Sequence, residues 1–204
     1  MLIAIIVIVL VCLCCVRKNI FHKPIVEKKI KYKEEMVVID DGIIDKGDTF
    51  QVIEPLWFSV NIYDGEDKYL NDLKQFSIPQ KYVFAIYWYR TEVNNGGHDQ
   101  FYFNSTGIVW KDALDGFGEI GLEGFQSVLK ESIKRMGGNP SMDRDERQEQ
   151  LLDKMQADFE DLDTKYYQLE QESNLDLALL EYINQNRESF YFDGLVKKPD
   201  GWEK

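Results

Sequence analysis

Histidine and cysteine are both scarce in this chain. Its three cysteines, Cys12, Cys14 and Cys15, all fall within the first sixteen residues, and its two histidines are His22 and His98. Residues 16–204 therefore have no disulfide framework and no thiolate metal site. Zinc takes several His or Cys ligands, and the set is not there. His22 lies in a basic stretch where a solvated ring is expected. His98 stands between Gly97 and Asp99, with no Cys and no second nearby His to complete an acid–base or nucleophilic set. It reads as a partly exposed loop residue. With catalytic, metal and cofactor sets all missing, the expectation is a protein that binds, uses no cofactor and is not an enzyme.

Basic charge is also in short supply. Lys and Arg total 24 against 36 Asp and Glu, a net charge of −12. Residues 17–33 hold seven of the bases (Arg17, Lys18, Lys23, Lys28, Lys29, Lys31, Lys33) and one acid, Glu27, which leaves 17 bases against 35 acids, or −18, for residues 34–204. A domain so charged repels nucleic acid and anionic lipid and attracts basic surfaces, so direct nucleic-acid binding is excluded. Hydrophobic residues are 44% of the chain and aromatics 13%, enough for a packed core and against disorder.

The N-terminus is organised differently. Met1 to Val16 is an unbroken apolar run, followed at once by Arg17-Lys18. It lacks the positive leading region and small-residue cleavage site of a signal peptide, and Leu13-Cys14-Cys15 is a poor lipoprotein signal. Sixteen helical residues cover about 24 Å of the roughly 30 Å hydrocarbon core. Ile20 and Phe21 extend the run if Arg17 and Lys18 snorkel. The expectation is a transmembrane anchor over 1–21, in the cell membrane, with the domain facing the cytoplasm by the positive-inside rule.

Residues 22–54 read as a juxtamembrane linker. Val37-Val38-Ile39-Asp40-Asp41-Gly42-Ile43-Ile44 places two β-branched runs around Asp-Gly, which predicts a small β-hairpin near residues 37–44. From Pro55 the pattern is helical. Ser77 and Gln80 match a capping box, with Pro79 in the first turn. Tyr82, Ile86, Tyr89 and Val93 share a face that Val83, Phe84, Ala85 and Trp88 widen, so the helix is central and largely buried. Asn94-Asn95-Gly96-Gly97 stops it. Helices are expected over 110–120, through Leu122, Phe125, Leu129, Ile133 and Met136 up to Gly137-Gly138, and through Leu175, Leu179, Tyr182 and Ile183. Asp143 with Glu146 opens another, whose seam Leu152, Met155, Phe159, Leu162, Tyr166 and Leu169 is spaced for packing on a partner helix. The fold class is mainly α: an irregular helical bundle over 55–193, a hairpin at its entrance, one N-terminal transmembrane helix and a tail over 194–204.

Two strings imitate chemistry. Asp40-Asp41, Asp45 and Asp48 miss the alternating calcium-loop spacing. Gly116-Phe117-Gly118-Glu119-Ile120-Gly121 lacks the preceding strand and the Lys-Ser/Thr ending of a phosphate loop, and reads as helix punctuation.

The string from Thr91 to Gly107 (Thr91-Glu92-Val93-Asn94-Asn95-Gly96-Gly97-His98-Asp99-Gln100-Phe101-Tyr102-Phe103-Asn104-Ser105-Thr106-Gly107) is unusual. It closely resembles the signature of the bacterial DNA-mimic protein family. The resemblance continues in order through Ala113-Leu114, Glu119-Ile120-Gly121, Asp143-Arg144-Asp145-Glu146-Arg147, Leu162-Asp163, Tyr166-Tyr167 and Tyr182-Ile183, covering about residues 56–190. The family pattern usually has an aromatic residue where His98 stands. The resemblance implies an all-helical acidic domain, often a homodimer, that imitates duplex DNA on the DNA-binding face of a basic protein. Within the signature, Glu92, Asn94, Asn95, Gln100 and Asn104 can bond backbone groups exposed at a helix break, and Gly96 and Gly97 supply the turn.

Mimicry needs ordered negative charge. Glu146, Glu149, Asp153, Glu160, Asp163 and Glu170 are spaced three, four, seven, three and seven, one stripe on the helix after Asp143, with Asp158 and Asp161 on another flank. Such a stripe is the expected partner-binding surface, and a protein that neutralises phosphates with Lys and Arg is the expected partner. Three readings stand: a mimic masking a DNA-binding regulator, an immunity-type protein neutralising a basic toxin, and a membrane-associated scaffold whose acidity serves solubility alone.

Overall fold

The computed structural model describes residues 31–153 and 158–202. They fall into two units. One is Lys33–Lys198; the other holds the two chain ends, of which residues 31–32 and 199–202 are described, with the Asp200 N–H donating to the Lys31 carbonyl at 2.7 Å. The expected anchor over 1–21 lies outside the described residues, and no described helix is long and apolar enough to cross a membrane.

Among the described residues the fold is mainly helical, with nine α-helices and one two-stranded antiparallel sheet. Strand β1 (Tyr32–Ile39) leads into α1 (Asp41–Ile44), α2 (Thr49–Ser59) and α3 (Glu66–Leu73). The long α4 (Ile78–Phe103) passes through a 3-10 turn (Ser105–Val109) into α5 (Trp110–Ile120) and α6 (Glu123–Arg135). Then come α7 (Arg144–Asp153), α8 (Glu160–Glu172), α9 (Leu175–Gln185), a second 3-10 turn (Arg187–Phe190) and β2 (Phe192–Pro199).

Helix α4 is the hub, packing against α2, α5, α7, α8 and both 3-10 turns. It starts as its sequence dictates. The Gln80 N–H donates to Ser77 Oγ at 3.2 Å, and the Gln80 side chain accepts from the Ser77 N–H at 2.9 Å, so two otherwise orphaned donors are satisfied. Val83, Phe84, Ala85, Ile86, Tyr89 and Val93 are buried along it, and burying each large side chain contributes about 1.5–3 kcal/mol. The helix breaks at Gly96 and Gly97 and resumes at His98.

The hairpin expected over 37–44 does not form. The Asp40 carboxylate accepts the Ile43 N–H at 3.0 Å and turns the chain into α1, so the Asp-Gly step caps a helix. Strand β1 pairs instead with β2, in the segment expected to be a C-terminal tail. Residues expected as linker up to 54 thus carry a strand, a helix and half of α2. Lys198 explains the pairing: its buried ammonium bonds Glu35 at 2.8 Å and Glu54 at 3.1 Å, joining both strands to α2.

The single helix expected after Asp143 is also two. α7 is described as far as Asp153, residues 158 and 159 are not helical, and α8 begins at Glu160. Of the expected seam, Phe159, Leu162 and Tyr166 are buried and Leu169 is partly so, whereas Leu152 is 61% exposed and Met155 lies outside the described residues. α7 is held down by a different residue, Arg147.

Candidate interaction surface

Arg147 is fully buried, and backbone carbonyls solvate its guanidinium. Its Nε donates to the Tyr102 carbonyl at 2.9 Å, one terminal nitrogen to Ser141 at 2.7 Å and the other to Asn104 at 2.7 Å. The planar fork thus ties the end of α4 to the start of α7. Burial pulls its pKa down to about 10. Gly107 makes room for it: a Cβ there would lie 2.5 Å from the Arg147 Nε and 2.7 Å from the Phe101 carbonyl oxygen.

A second junction joins α8 to the break in α4. The Asp163 carboxylate accepts the His98 backbone N–H at 2.9 Å and the His98 Nδ1–H at 2.5 Å, capping the resumed helix from another element. The other ring nitrogen, Nε2, shares a hydrogen bond with the Tyr89 hydroxyl at 2.7 Å. Burial pushes the Tyr89 phenol well above its ordinary range, which keeps it protonated. Gly97, at φ +72°, stands so close to Asp163 that any Cβ would collide with the carboxylate. His98 is therefore a fully buried core residue, not the exposed loop residue its neighbours suggest.

Along α8, Tyr167 and Glu170 continue this contact. The Tyr167 hydroxyl donates to the Val93 carbonyl at 2.8 Å, while Glu170 accepts from Arg90 Nε at 2.9 Å, from Asn94 at 2.9 Å and from the Tyr166 hydroxyl at 2.9 Å. Glu92 is buried and accepts from the Gln100 and Asn104 amides, each at 2.8 Å. Arg135 grips Asp161 through both terminal nitrogens, at 2.6 and 2.8 Å, and holds its carboxyl down to about 2.

The expected acidic stripe is therefore divided. Asp163 and Glu170 turn inward to His98 and Arg90, on the face with which α8 docks against α4. Glu146, Glu149, Asp153 and Glu160 are exposed, and no described Lys or Arg lies within ion-pair distance of them. Glu146 accepts the Ser141 hydroxyl at 2.9 Å, and its N–H donates to Asp143 at 3.0 Å as the helix start predicts. Among the described residues no group of His, Cys, Asp and Glu could hold a metal ion.

A family model described as DMP19-like protein matches residues 74–186, more than half of the chain. The chain belongs to the DMP19-like family. This is a DNA-mimic family, so the coarse reading of the chain is an acidic protein of DNA-mimic type, in line with the resemblance drawn from the signature. No curated protein and no solved structure matches the chain.

The DMP19-like match spans both junctions. Gly107 and Arg147 lie in separate motifs of the sequence and meet in space; so do Gly97 and Asp163. Of the signature amides, Asn94, Gln100 and Asn104 bond carboxylates rather than the backbone groups expected, Glu170 in the first case and Glu92 in the other two. Asn95 lines a surface cleft and Gly96 forms the turn with Gly97. Sequence reasoning missed Arg147 because it sits in a run of charges that looks solvated. The one available signal was its place in a string that resembled the family.

Proposed function

We propose that this DMP19-like chain is a membrane-held acidic protein that occupies the basic, nucleic-acid-binding surface of another protein, and that it works by binding rather than catalysis. The observation that carries the reading is the set of exposed carboxylates on α7 and the start of α8, Glu146, Glu149, Asp153 and Glu160, with no described Lys or Arg within ion-pair distance of them. On α7, side chains three and four apart stand about 5–6 Å from one another, a spacing that lysines and arginines selected for phosphates can accept. A rigid framework holds the row: Arg147 fixes α7, and Asp163 fixes α8. The partner is a DNA-binding regulator or a basic toxin domain, and the apolar run before Arg17 keeps the complex at the membrane.

Capture from cell extract tests this. The wild-type chain should retain a basic nucleic-acid-binding protein at low salt and release it as salt rises. A variant with Glu149→Lys, Asp153→Lys and Glu160→Lys should retain none while keeping its far-UV circular dichroism. Asp163 is left unaltered because it caps His98. Retention by the reversed variant refutes the choice of surface. Extraction of the chain by alkaline carbonate, without detergent, would refute the anchor.

A further inference from the structure

A cleft of about 370 Å³ lies between the end of α5 and the second half of α9, large enough for a small molecule or one long side chain. It shares no residue with the acidic row on α7 and α8. Two carboxylates line it, Glu119 in the last turn of α5 and Glu181 on α9. Both are exposed, and no described Lys or Arg lies within ion-pair distance of either. The base that follows α9, Arg187, is already taken by Asp41 and Asp45, each at 2.7 Å. Both helices end at this cleft, and neither has a basic residue in its last turn. The negative ends of two helix dipoles therefore add to the two carboxylates.

The third polar group is independent of that charge. Tyr182 lines the cleft and is only 8% exposed, with its ring edge-on to Phe190, yet its hydroxyl bonds no described residue. The hydroxyl lies near Glu119: burial, together with the Glu119 and Tyr82 charges, pushes the phenol above its ordinary range, so it stays protonated. Asn186 fixes the backbone beneath it by donating to the Tyr182 carbonyl at 2.9 Å. A nearly buried phenol without a partner, beside unpaired carboxylates, is a set of acceptors waiting for a donor. The remaining wall is apolar, made by the half-buried Ile120 and Ala178. A bare metal ion does not suit this mixture, and among the described residues no group of His, Cys, Asp and Glu could hold one. A cation with N–H donors on an alkyl stem suits every part of it. We infer that this cleft binds a primary alkylammonium group, with Glu119, Glu181 and the Tyr182 phenol oxygen accepting from its nitrogen and its methylenes lying on Ile120 and Ala178. The group belongs either to a free amine or to a lysine side chain of another protein.

Calorimetric titration of the full chain at low salt tests this with n-butylammonium and tetramethylammonium, which carry the same charge with and without N–H donors. n-Butylammonium should bind one per chain, roughly tenfold more tightly than tetramethylammonium, the scale of one hydrogen bond to a charged group. Glu119→Gln, Glu181→Gln and Tyr182→Phe should each weaken n-butylammonium roughly tenfold, and Glu149→Gln, on the acidic row, should change nothing. Circular dichroism confirms that the variants are folded. Equal binding of the two cations, or a Tyr182→Phe variant that binds as wild type does, overturns the inference, because general acidity would then account for the attraction. So does the absence of saturable binding. None of these results bears on the partner captured through α7 and α8. Titration of 1,4-diaminobutane against a lysine residue blocked at both ends then names the source, free amine or protein side chain, by which binds more tightly.

Discussion

Replacing Arg147 separates the effect of charge from that of shape. Its guanidinium donates to three backbone carbonyls, that of Tyr102 buried and those of Asn104 and Ser141 partly so. Arg147→Met removes the buried charge and leaves three acceptors unmade, at about 1–3 kcal/mol each. Relief of the charge's own desolvation, about 3 kcal/mol from a pKa drawn down to about 10, offsets part of that. The net loss should be about 3 kcal/mol. Arg147→Lys keeps the charge and its desolvation cost, yet one ammonium cannot reach carbonyls spread across the ends of two elements. With two acceptors unmade and nothing relieved, it should lose about 4 kcal/mol. The conservative substitution is therefore expected to be the worse one. Urea unfolding followed by tryptophan fluorescence measures both losses. A lysine variant within about 1 kcal/mol of wild type would refute the fork argument. A methionine variant more stable than wild type, as some proteins with a replaced buried ion pair are, would refute the carbonyl argument.

Further outcomes follow from the same contacts. Gly107→Ala should cost about 1–3 kcal/mol, because the Phe101 carbonyl oxygen, 2.7 Å from the new Cβ, is backbone and cannot swing away; the denaturation midpoint reads it. His98→Phe should lose about 1–3 kcal/mol by stranding the Tyr89 hydroxyl, and Tyr89→Phe in the same chain should recover part of the loss. Strict additivity in that double-mutant cycle would mean the two rings are not coupled. Asp112 accepts the Tyr69 hydroxyl at 2.7 Å, yet burial raises its carboxyl above the ordinary value. Its ionisation therefore costs the folded state, whose stability falls as pH rises through the raised pKa. Asp112→Asn should melt higher than wild type at pH 7, and the two curves should converge below about pH 4.

What the sequence disclosed was local. The capping box at Ser77 and Gln80, the helix over 110–120 and the inward face of Leu175, Leu179, Tyr182 and Ile183 depend on neighbours within a few residues, and all are present. The sheet was not legible. The β-branched residues before Asp40 show that a strand is favoured but not that its partner lies some 150 residues later, and the Asp-Gly step suits a hairpin and a helix cap alike. Apolar spacing ran unbroken across the gap between α7 and α8, so one helix looked consistent. Periodicity does not reveal that Arg147, rather than Leu152, is the residue facing inward. The same limit hid His98. Its burial depends on an aspartate 65 residues away, and nothing beside it in the chain reports that contact. The acidic row was legible as composition; its division between surface and interior was not, because spacing along a helix does not show which carboxylates meet a buried donor.

The pairing of the first strand with the last has a consequence for synthesis. Val37 and Ile39 point into the protein from β1 long before β2 exists, so the nascent chain carries an unfilled sheet edge until residues 192–199 have been made. Glu54, already in its helix, waits as long for the Lys198 ammonium. The helices between can assemble as they emerge, but the pairing of β1 with β2 closes after them. A ribosome that stalls near residue 190 would release a bundle with one sticky strand, the form of this protein most apt to aggregate.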